Sequence, residues 1–221
     1  MTTIGFIGSG NIGGTLAELA VKAGYDVVLS NSRGPETLAD IASLLGPRAR
    51  AGTVEEAATA GDLVLVSVPL HAYASIPVAP LANKVVMDTG NYYPERDGQI
   101  AVLDDGTLTS SELLQQHLPT SRVVKVFNNI YYKHLGALAR PVDAVDRSAL
   151  VVSGDDAAAK LAVIAFLEAI GYDGVDNGLL AQGGRAHQPG TPAYGAPYGP
   201  FEDEQGRPAT KAELRQALDA A

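Results

Sequence analysis

The sequence predicts an α/β protein: a doubly wound, mainly parallel sheet with a small irregular C-terminal extension. Three observations carry this. Short β-branched runs alternate with helical patterns along most of the chain, as strands joined by crossover helices require. Runs such as Leu63-Val64-Leu65-Val66 and Val123-Val124 show almost no polar alternation, so they read as parallel strands buried on both faces. A glycine-rich turn separates the first strand from the first helix, where sheets of this kind hold phosphates.

Taken in order, the first strand is Ile4–Ile7, followed by a helix over Ile12–Lys22 that Gly24 closes in the usual C-terminal position. Asp26–Ser30 is the second strand. A helix over Glu36–Leu44 leads to a weaker strand at Arg48–Ala51, and Glu55–Ala60 forms the next helix. Leu63–Val68 and Val85–Asp88 read as central strands. The section from Tyr92 to Gly106 is polar and turn-rich, which predicts a long loop. Then come a helix over Ser111–His117 and strands at Val123–Phe127 and Leu150–Ser153. The helix Ala157–Ile170 starts behind Asp155-Asp156, a carboxylate pair suited to the helix dipole, and Gly171 ends it. A weaker strand covers Gly174–Asp176.

Composition changes near Gly183. The stretch Gly183–Pro200 holds five Gly and four Pro, with Arg185, His187, Tyr194 and Tyr198 among them. It reads either as an arm wrapping the domain or a second subunit, or as a loop lining a substrate pocket. Lys211–Leu218 then forms a short amphipathic helix.

Composition excludes several chemistries. With no cysteine among 221 residues, there is no disulfide, thiolate nucleophile, iron–sulfur cluster or Cys-ligated zinc. A formal charge of −9 without a basic block argues against nucleic acid and anionic membranes as partners. The N-terminus lacks the basic and apolar regions of a signal peptide, and no apolar run approaches a membrane span. A cytoplasmic protein is the expectation.

Gly8-Ser9-Gly10-Asn11-Ile12-Gly13 fits G-x-G-x-x-G between a strand and a helix, the context that turns a weak pattern into a dinucleotide-binding fingerprint. Gly8 permits the tight turn, Gly10 lets a pyrophosphate approach the backbone, and Gly13 lets the helix pack closely. The second strand runs into Ser30-Asn31-Ser32-Arg33, with no acid at its end. An acid there would bind a ribose 2′-hydroxyl, whereas Arg33, helped by Ser32 and Asn31, suits a 2′-phosphate. The cofactor is therefore expected to be NADP(H). Residues 1–180 are assigned to an NADP-binding Rossmann-type domain and residues 181–221 to the arm and terminal helix.

The four histidines (His71, His117, His134, His187) are scattered, so no metal site is expected. Neither G-x-S-x-G nor a P-loop is present. His117 reads as a surface residue, and His71 as a loop or cap residue near the expected nicotinamide ribose. Ligands in doubly wound sheets collect beyond the carboxyl ends of the strands. Those ends are Ser67-Val68-Pro69, Asp88-Thr89-Gly90-Asn91 and Phe127-Asn128-Asn129-Ile130. They are small or polar and include no evident general acid, so no catalytic residue is assigned. Hydride transfer to a strongly accepting ring needs positioning more than proton catalysis.

The set Gly8 to Gly13, Ser32-Arg33, Val68-Pro69 and Val124-Lys125-Val126-Phe127-Asn128-Asn129-Ile130 resembles the NADPH:deazaflavin (coenzyme F420) oxidoreductase family. It is also similar to the oxidoreductase domain of six-transmembrane ferric reductases. The resemblance covers about residues 1–180. It implies that Ser32 and Arg33 meet the 2′-phosphate, that the nicotinamide lies near Pro69 and Leu70, and that the deazaflavin stacks against Asn128 and Ile130. It also implies a homodimer.

The leading expectation is an NADPH-dependent oxidoreductase that transfers hydride to a flat small-molecule acceptor, a deazaflavin or a flavin. Gly90 and Asn91 are counted with the cofactor site; Asn128, Asn129 and Ile130 with the acceptor, which an asparagine orients by hydrogen bonding. The alternatives are an imine or carbonyl reductase of the pyrroline-carboxylate type and a non-catalytic NADPH-sensing module. A reductase of that type needs a proton donor, for which Tyr92, Tyr131 and His71 are the candidates.

Overall fold

The computed structural model describes residues 1–221. Strand β1 (Thr3–Ile7) leads to helix α1 (Asn11–Lys22), β2 (Asp26–Ser30), α2 (Ala39–Leu45), β3 (Ala49–Ala51), α3 (Val54–Ala60) and β4 (Leu63–Val66). Strand β5 (Val85–Asp88) is followed by α4 (Pro94–Asp97), α5 (Ala101–Asp104), α6 (Ser110–His117) and β6 (Arg122–Lys125). The chain continues with α7 (Tyr132–Ala137), β7 (Ala149–Gly154), α8 (Ala157–Ile170), β8 (Asp173–Asp176), α9 (Gln182–Arg185) and α10 (Lys211–Asp219).

The strands form one sheet in the order β3-β2-β1-β4-β5-β6-β7-β8. Every neighbour pair is parallel except β6–β7. The order runs outward from β1 in one direction and then, from β4, in the other. That reversal opens a crevice at the carboxyl ends of β1 and β4, the place where doubly wound sheets bind ligands. Apolar strands such as β4, Leu-Val-Leu-Val, are covered on both faces, as the lack of alternation predicts. The rings of Phe127 and Phe166 meet edge to face at 6.3 Å under the sheet, and burying each contributes about 1.5–3 kcal/mol. No helix is long and apolar enough to cross a membrane.

Several local expectations change. The strand read as Leu63–Val68 stops at Val66, leaving Ser67 to Pro69 to turn over the sheet edge. The strand read as Val123–Phe127 stops at Lys125, and Phe127 adopts a left-handed backbone, φ 63°. Such a conformation is an outlier for a bulky residue. Pro35–Leu38 winds as a 3₁₀ turn, so the regular helix starts only at Ala39. The polar section from Tyr92 to Gly106 contains the single-turn helices α4 and α5. Helix α7 has no counterpart in the sequence reading, because Tyr132-Lys133-His134-Leu135-Gly136-Ala137 is short and carries an internal glycine.

The glycine- and proline-rich arm is not a surface strap. His187, Ala193 and Tyr198 within it are fully buried. The Tyr198 hydroxyl donates to the Ala149 carbonyl at 2.8 Å, and the Gly195 N–H donates to the Asn129 carbonyl at 3.0 Å. The arm therefore packs into the domain, and its Tyr194 also lines a cleft at the sheet edge.

Candidate active site

The glycine turn has the geometry its three positions demand. Gly8 has φ 103°, and a Cβ there would lie 2.2 Å from the Ser67 carbonyl oxygen. A Cβ on Gly13 would lie 2.2 Å from the Gly8 carbonyl oxygen. Gly10, by contrast, has no atom within 4 Å of where its Cβ would be. It forms an open cradle at the start of α1, whose N-cap carries no side-chain hydrogen bond and whose first turn has no acid. The N–H groups of the first turn lack intrahelical partners and carry the positive end of the dipole. These residues fit a dinucleotide pyrophosphate.

Beyond β2, Asn31 Oδ1 accepts from the Arg33 and Gly34 N–H groups at 2.9 and 3.0 Å, while its Nδ2 donates to Thr37 Oγ1 at 2.9 Å. Asn31 thus shapes the turn instead of offering itself to a ligand. Ser32 and Arg33 stand exposed on that turn, and Arg33 has no ion-pair partner in the protein. The turn fits a phosphate on the ribose.

A cleft of about 450 Å³ opens beyond the carboxyl ends of β1, β4, β5 and β6, within the range of small-ligand sites. It brings together Gly10, Asn11, Ile12, Ser67, Val68, Pro69, Gly90, Asn91, Asn128, Asn129 and Ile130. Gly8, Ser9 and Gly13 stand behind its wall, and Asn31, Ser32 and Arg33 lie on the turn beyond β2. Leu70 is buried in the core with Tyr73 and Ile76 and does not line the cleft. The 3₁₀ turn at Leu70–Ser75 points it inward.

Tyr93, Arg96, Tyr132 and Phe201, which sequence reasoning missed, complete the wall together with Tyr194 of the arm. Tyr93 and Tyr194 hydrogen-bond through their hydroxyls. Arg96 lies over the Tyr93 ring at 4.9 Å, donates to the Asn91 carbonyl at 2.7 Å and pairs with Asp97 at 2.8 Å. Phe201 stacks obliquely on Tyr131 at 5.2 Å and meets Tyr194 edge to face at 6.4 Å. Aromatic residues spaced irregularly in a Gly/Pro arm were the signal available, but spacing alone did not aim them.

Under the floor lies a buried polar network. Asp88, fully buried, accepts from Tyr73 Oη at 3.0 Å, from the Gly90 N–H at 2.9 Å and from Ser111 Oγ at 2.6 Å. Lys125 Nζ, equally buried, donates to the Gly90 carbonyl at 2.8 Å and contacts Ser110 and Ser111 Oγ at 3.2 Å. Burial pushes the Lys125 ammonium down to about 8, with Asp88 opposing. Burial, then the nearby Lys125, holds His187 well below the usual histidine range, and its Nε2 lies 3.0 Å from Ser153 Oγ. The network locks Gly90, where a Cβ would lie 1.9 Å from Tyr73 Oη, and so fixes the floor.

Of the candidate proton donors, Tyr131 alone lines the cleft. The Tyr92 hydroxyl is engaged with Asp104 at 2.6 Å and with the Gly98 carbonyl at 3.1 Å. His71 is exposed outside the cleft. His117 is half-buried, its Nε2 2.8 Å from the Ile76 carbonyl oxygen. No three His, Cys, Asp or Glu residues cluster as metal ligands.

Residues 3–92 match the family model described as NADP oxidoreductase coenzyme F420-dependent. Among solved structures, a hypothetical protein from Sinorhizobium meliloti is 31% identical, with 89% of this chain and 94% of that one aligned and a TM-score of 0.76. A protein from Arthrobacter sp. carried under the name F420-dependent NADP-reductase is 24% identical over 85% of this chain and 89% of that one, TM-score 0.70. The pyrroline-5-carboxylate reductase of Coxiella burnetii shares the fold at 16% identity, covering 86% of this chain and 64% of that one, TM-score 0.59. No protein of curated function matches. The chain belongs to the coenzyme F420-dependent NADP oxidoreductase family and is an NADP-dependent oxidoreductase.

Proposed function

We propose that the acceptor is a flat redox ring, a deazaflavin of the coenzyme F420 kind, and that the cleft holds it against the nicotinamide of NADPH. The observation that carries this is the lining. It combines aromatic rings with asparagines and has no carboxylate or imidazole. A flat ring fits such walls by stacking. Bound NADPH supplies the hydride; the chain's residues position and enclose.

The open turn at Gly10 and the N–H groups of α1 hold the pyrophosphate, and Ser32 and Arg33 hold the 2′-phosphate. Val68 and Pro69 back the nicotinamide. Asn128, Asn129 and Ile130 form the floor under the acceptor, while Tyr93, Tyr194 and Phe201 keep water out. Arg96, the one charged side chain in the lining, is held by Asp97 through two hydrogen bonds and stiffens the wall over Tyr93. Burial raises the phenols of Tyr131 and Tyr194 above the usual tyrosine range, so they stay neutral at physiological pH.

A second reading, reduction of an imine or carbonyl, rests on Tyr131, whose hydroxyl would supply the proton. Steady-state NADPH oxidation with deazariboflavin, riboflavin and a cyclic imine decides between them. Turnover with deazariboflavin at least about tenfold above the imine supports the ring acceptor, since proton donation by a side chain typically contributes a hundredfold or more. Turnover with the imine alone overturns it, and riboflavin turnover without deazariboflavin assigns the flavin.

A further inference from the structure

Tyr93 and Tyr194 both line the cleft, and their hydroxyls are each other's sole hydrogen-bond partners in the protein. Two hydroxyls that meet in this way use one of their two protons between them. The other proton has no acceptor, and both side chains are only half-buried, so the pair offers one free donor to an occupant of the cleft. Arg96 decides which hydroxyl carries it. Its guanidinium lies 4.9 Å from the Tyr93 ring centroid and is fixed there by Asp97, whose carboxylate accepts from it at 2.8 and 2.9 Å. Donating a hydrogen bond moves negative charge onto the donor's ring, and a cation over that ring favours the shift. Tyr93 therefore donates to Tyr194, and the Tyr194 proton is left free. Accepting that bond strengthens Tyr194 as a donor, because hydrogen bonds in a chain polarise one another. The Tyr194 backbone is fixed as well. Its N–H donates to the Thr191 carbonyl at 3.1 Å, and the next N–H, that of Gly195, donates to the Asn129 carbonyl at 3.0 Å.

We propose that Tyr194 is a catalytic residue of the hydride transfer, donating a hydrogen bond to the carbonyl edge of the acceptor ring, with Tyr93 and Arg96 as positioning residues behind it. The proposal rests on the ring-acceptor reading of the cleft. Hydride transfer breaks a C–H bond of the reduced nicotinamide, which is oxidised, and forms a C–H bond on the deazaflavin, which is reduced. The electron pair that arrives with the hydride leaves negative charge spread over the ring's carbonyls and nitrogens, and a solvent proton neutralises it afterwards. A donor already aimed at that edge binds the charged ring more strongly than the neutral one, and so lowers the barrier between them. Burial raises the Tyr194 phenol above the usual tyrosine range, so it keeps its proton through the step and acts as a donor, not as an acid.

Phenylalanine at each position gives the test, because Tyr93→Phe and Tyr194→Phe delete the same tyrosine–tyrosine hydrogen bond and keep both rings. The single-turnover rate of deazariboflavin reduction is measured in each, beside NADPH affinity and a thermal melt. Tyr194→Phe is expected to slow the hydride step roughly ten- to a hundredfold, the span for a hydrogen bond to a charged group, with NADPH affinity within about twofold of the wild type. Tyr93→Phe leaves the Tyr194 proton in place and is expected to lose several-fold less. Equal losses would mark the pair as a structural bridge and overturn the proposal. A larger loss in Tyr93→Phe, or an unchanged rate in Tyr194→Phe, also overturns it. In these outcomes reduction of deazariboflavin by the wild type leaves the functional reading standing. A wild type that reduces the cyclic imine and not deazariboflavin overturns both.

Discussion

Gly13 packs so tightly on Gly8 that a methyl group added to it would lie 2.2 Å from the Gly8 carbonyl oxygen, inside any tolerable contact. Three residues earlier the same methyl would meet nothing within 4 Å. One motif therefore contains a structural glycine and a binding glycine. Gly13→Ala is expected to lose stability by about 1–3 kcal/mol or more, as overpacked sites do. Gly10→Ala keeps an allowed backbone, φ −74°, and is expected to melt within about 0.5 kcal/mol of the wild type. Its methyl occupies the pyrophosphate cradle, so NADPH affinity falls at least roughly tenfold, each tenfold being about 1.4 kcal/mol. Thermal melts with NADPH titrations check both variants; a Gly10→Ala protein that binds normally removes the cradle from the site.

Arg33 stands on an exposed turn held by Asn31, with no acid paired to it. A hydrogen bond to a charged group is worth about 1.5–3 kcal/mol. Arg33→Asp is therefore expected to weaken NADPH by roughly ten- to a hundredfold, while NADH, without the 2′-phosphate, changes little or gains. Titration of both cofactors against both proteins measures this. Equal NADPH and NADH affinity in the wild type would overturn the 2′-phosphate assignment.

The glycine turn and the Asn31–Arg33 turn were legible in the sequence because their requirements are local. Gly8, Gly10, Gly13 and the Asn31–Arg33 turn lie within a single strand–helix–strand segment, and each glycine has a steric reason set by its neighbours. The far end of the cleft was half legible. Asn128 and Asn129 follow a strand and could be placed at its carboxyl end, but the kink at Phe127 that presents them could not. Tyr93 and Tyr194 meet across 101 residues of sequence, and Phe201 joins them through a Gly/Pro arm whose path follows no periodicity. Leu70 shows the opposite error. Its position after a strand end suggested a ligand contact, yet a 3₁₀ turn rotates it into the core. The antiparallel pairing of β7 was likewise invisible, because an apolar run carries no mark of its direction.

Tyr131 decides whether the cleft does proton chemistry. If the acceptor is a ring that takes hydride without side-chain acid catalysis, Tyr131→Phe is expected to leave kcat with deazariboflavin within about threefold of the wild type. A general acid removed from an imine reductase would instead cost roughly a hundred- to ten-thousandfold. The phenyl ring preserves the contact with Phe201, so a lost wall does not confuse the comparison. A large fall in kcat would overturn the ring-acceptor reading.

Lys125 links the floor of the cleft to the pH dependence of stability. Burial pushes its ammonium down to about 8, against about 10.4 for an unfolded chain. Between those values the unfolded chain holds a proton that the folded protein has already released. Stability therefore rises with pH from about 8 toward about 10, with a slope of at most about 1.4 kcal/mol per pH unit for one proton. Lys84, whose pKa burial also lowers, adds in the same direction. Buried tyrosines such as Tyr73 and Tyr172 resist ionisation, so they reverse the trend above about pH 10, where unfolded tyrosines lose their protons first. Lys125→Met removes the buried charge and is expected to flatten the rise between about pH 8 and pH 9.5. It also removes the shorter of the two hydrogen bonds to the Gly90 carbonyl, which keeps Ser110 Oγ as a donor at 3.2 Å. Denaturant melts across this range, on both proteins, measure the slope. An identical slope in Lys125→Met would show that the ammonium keeps its ordinary affinity for protons inside the fold.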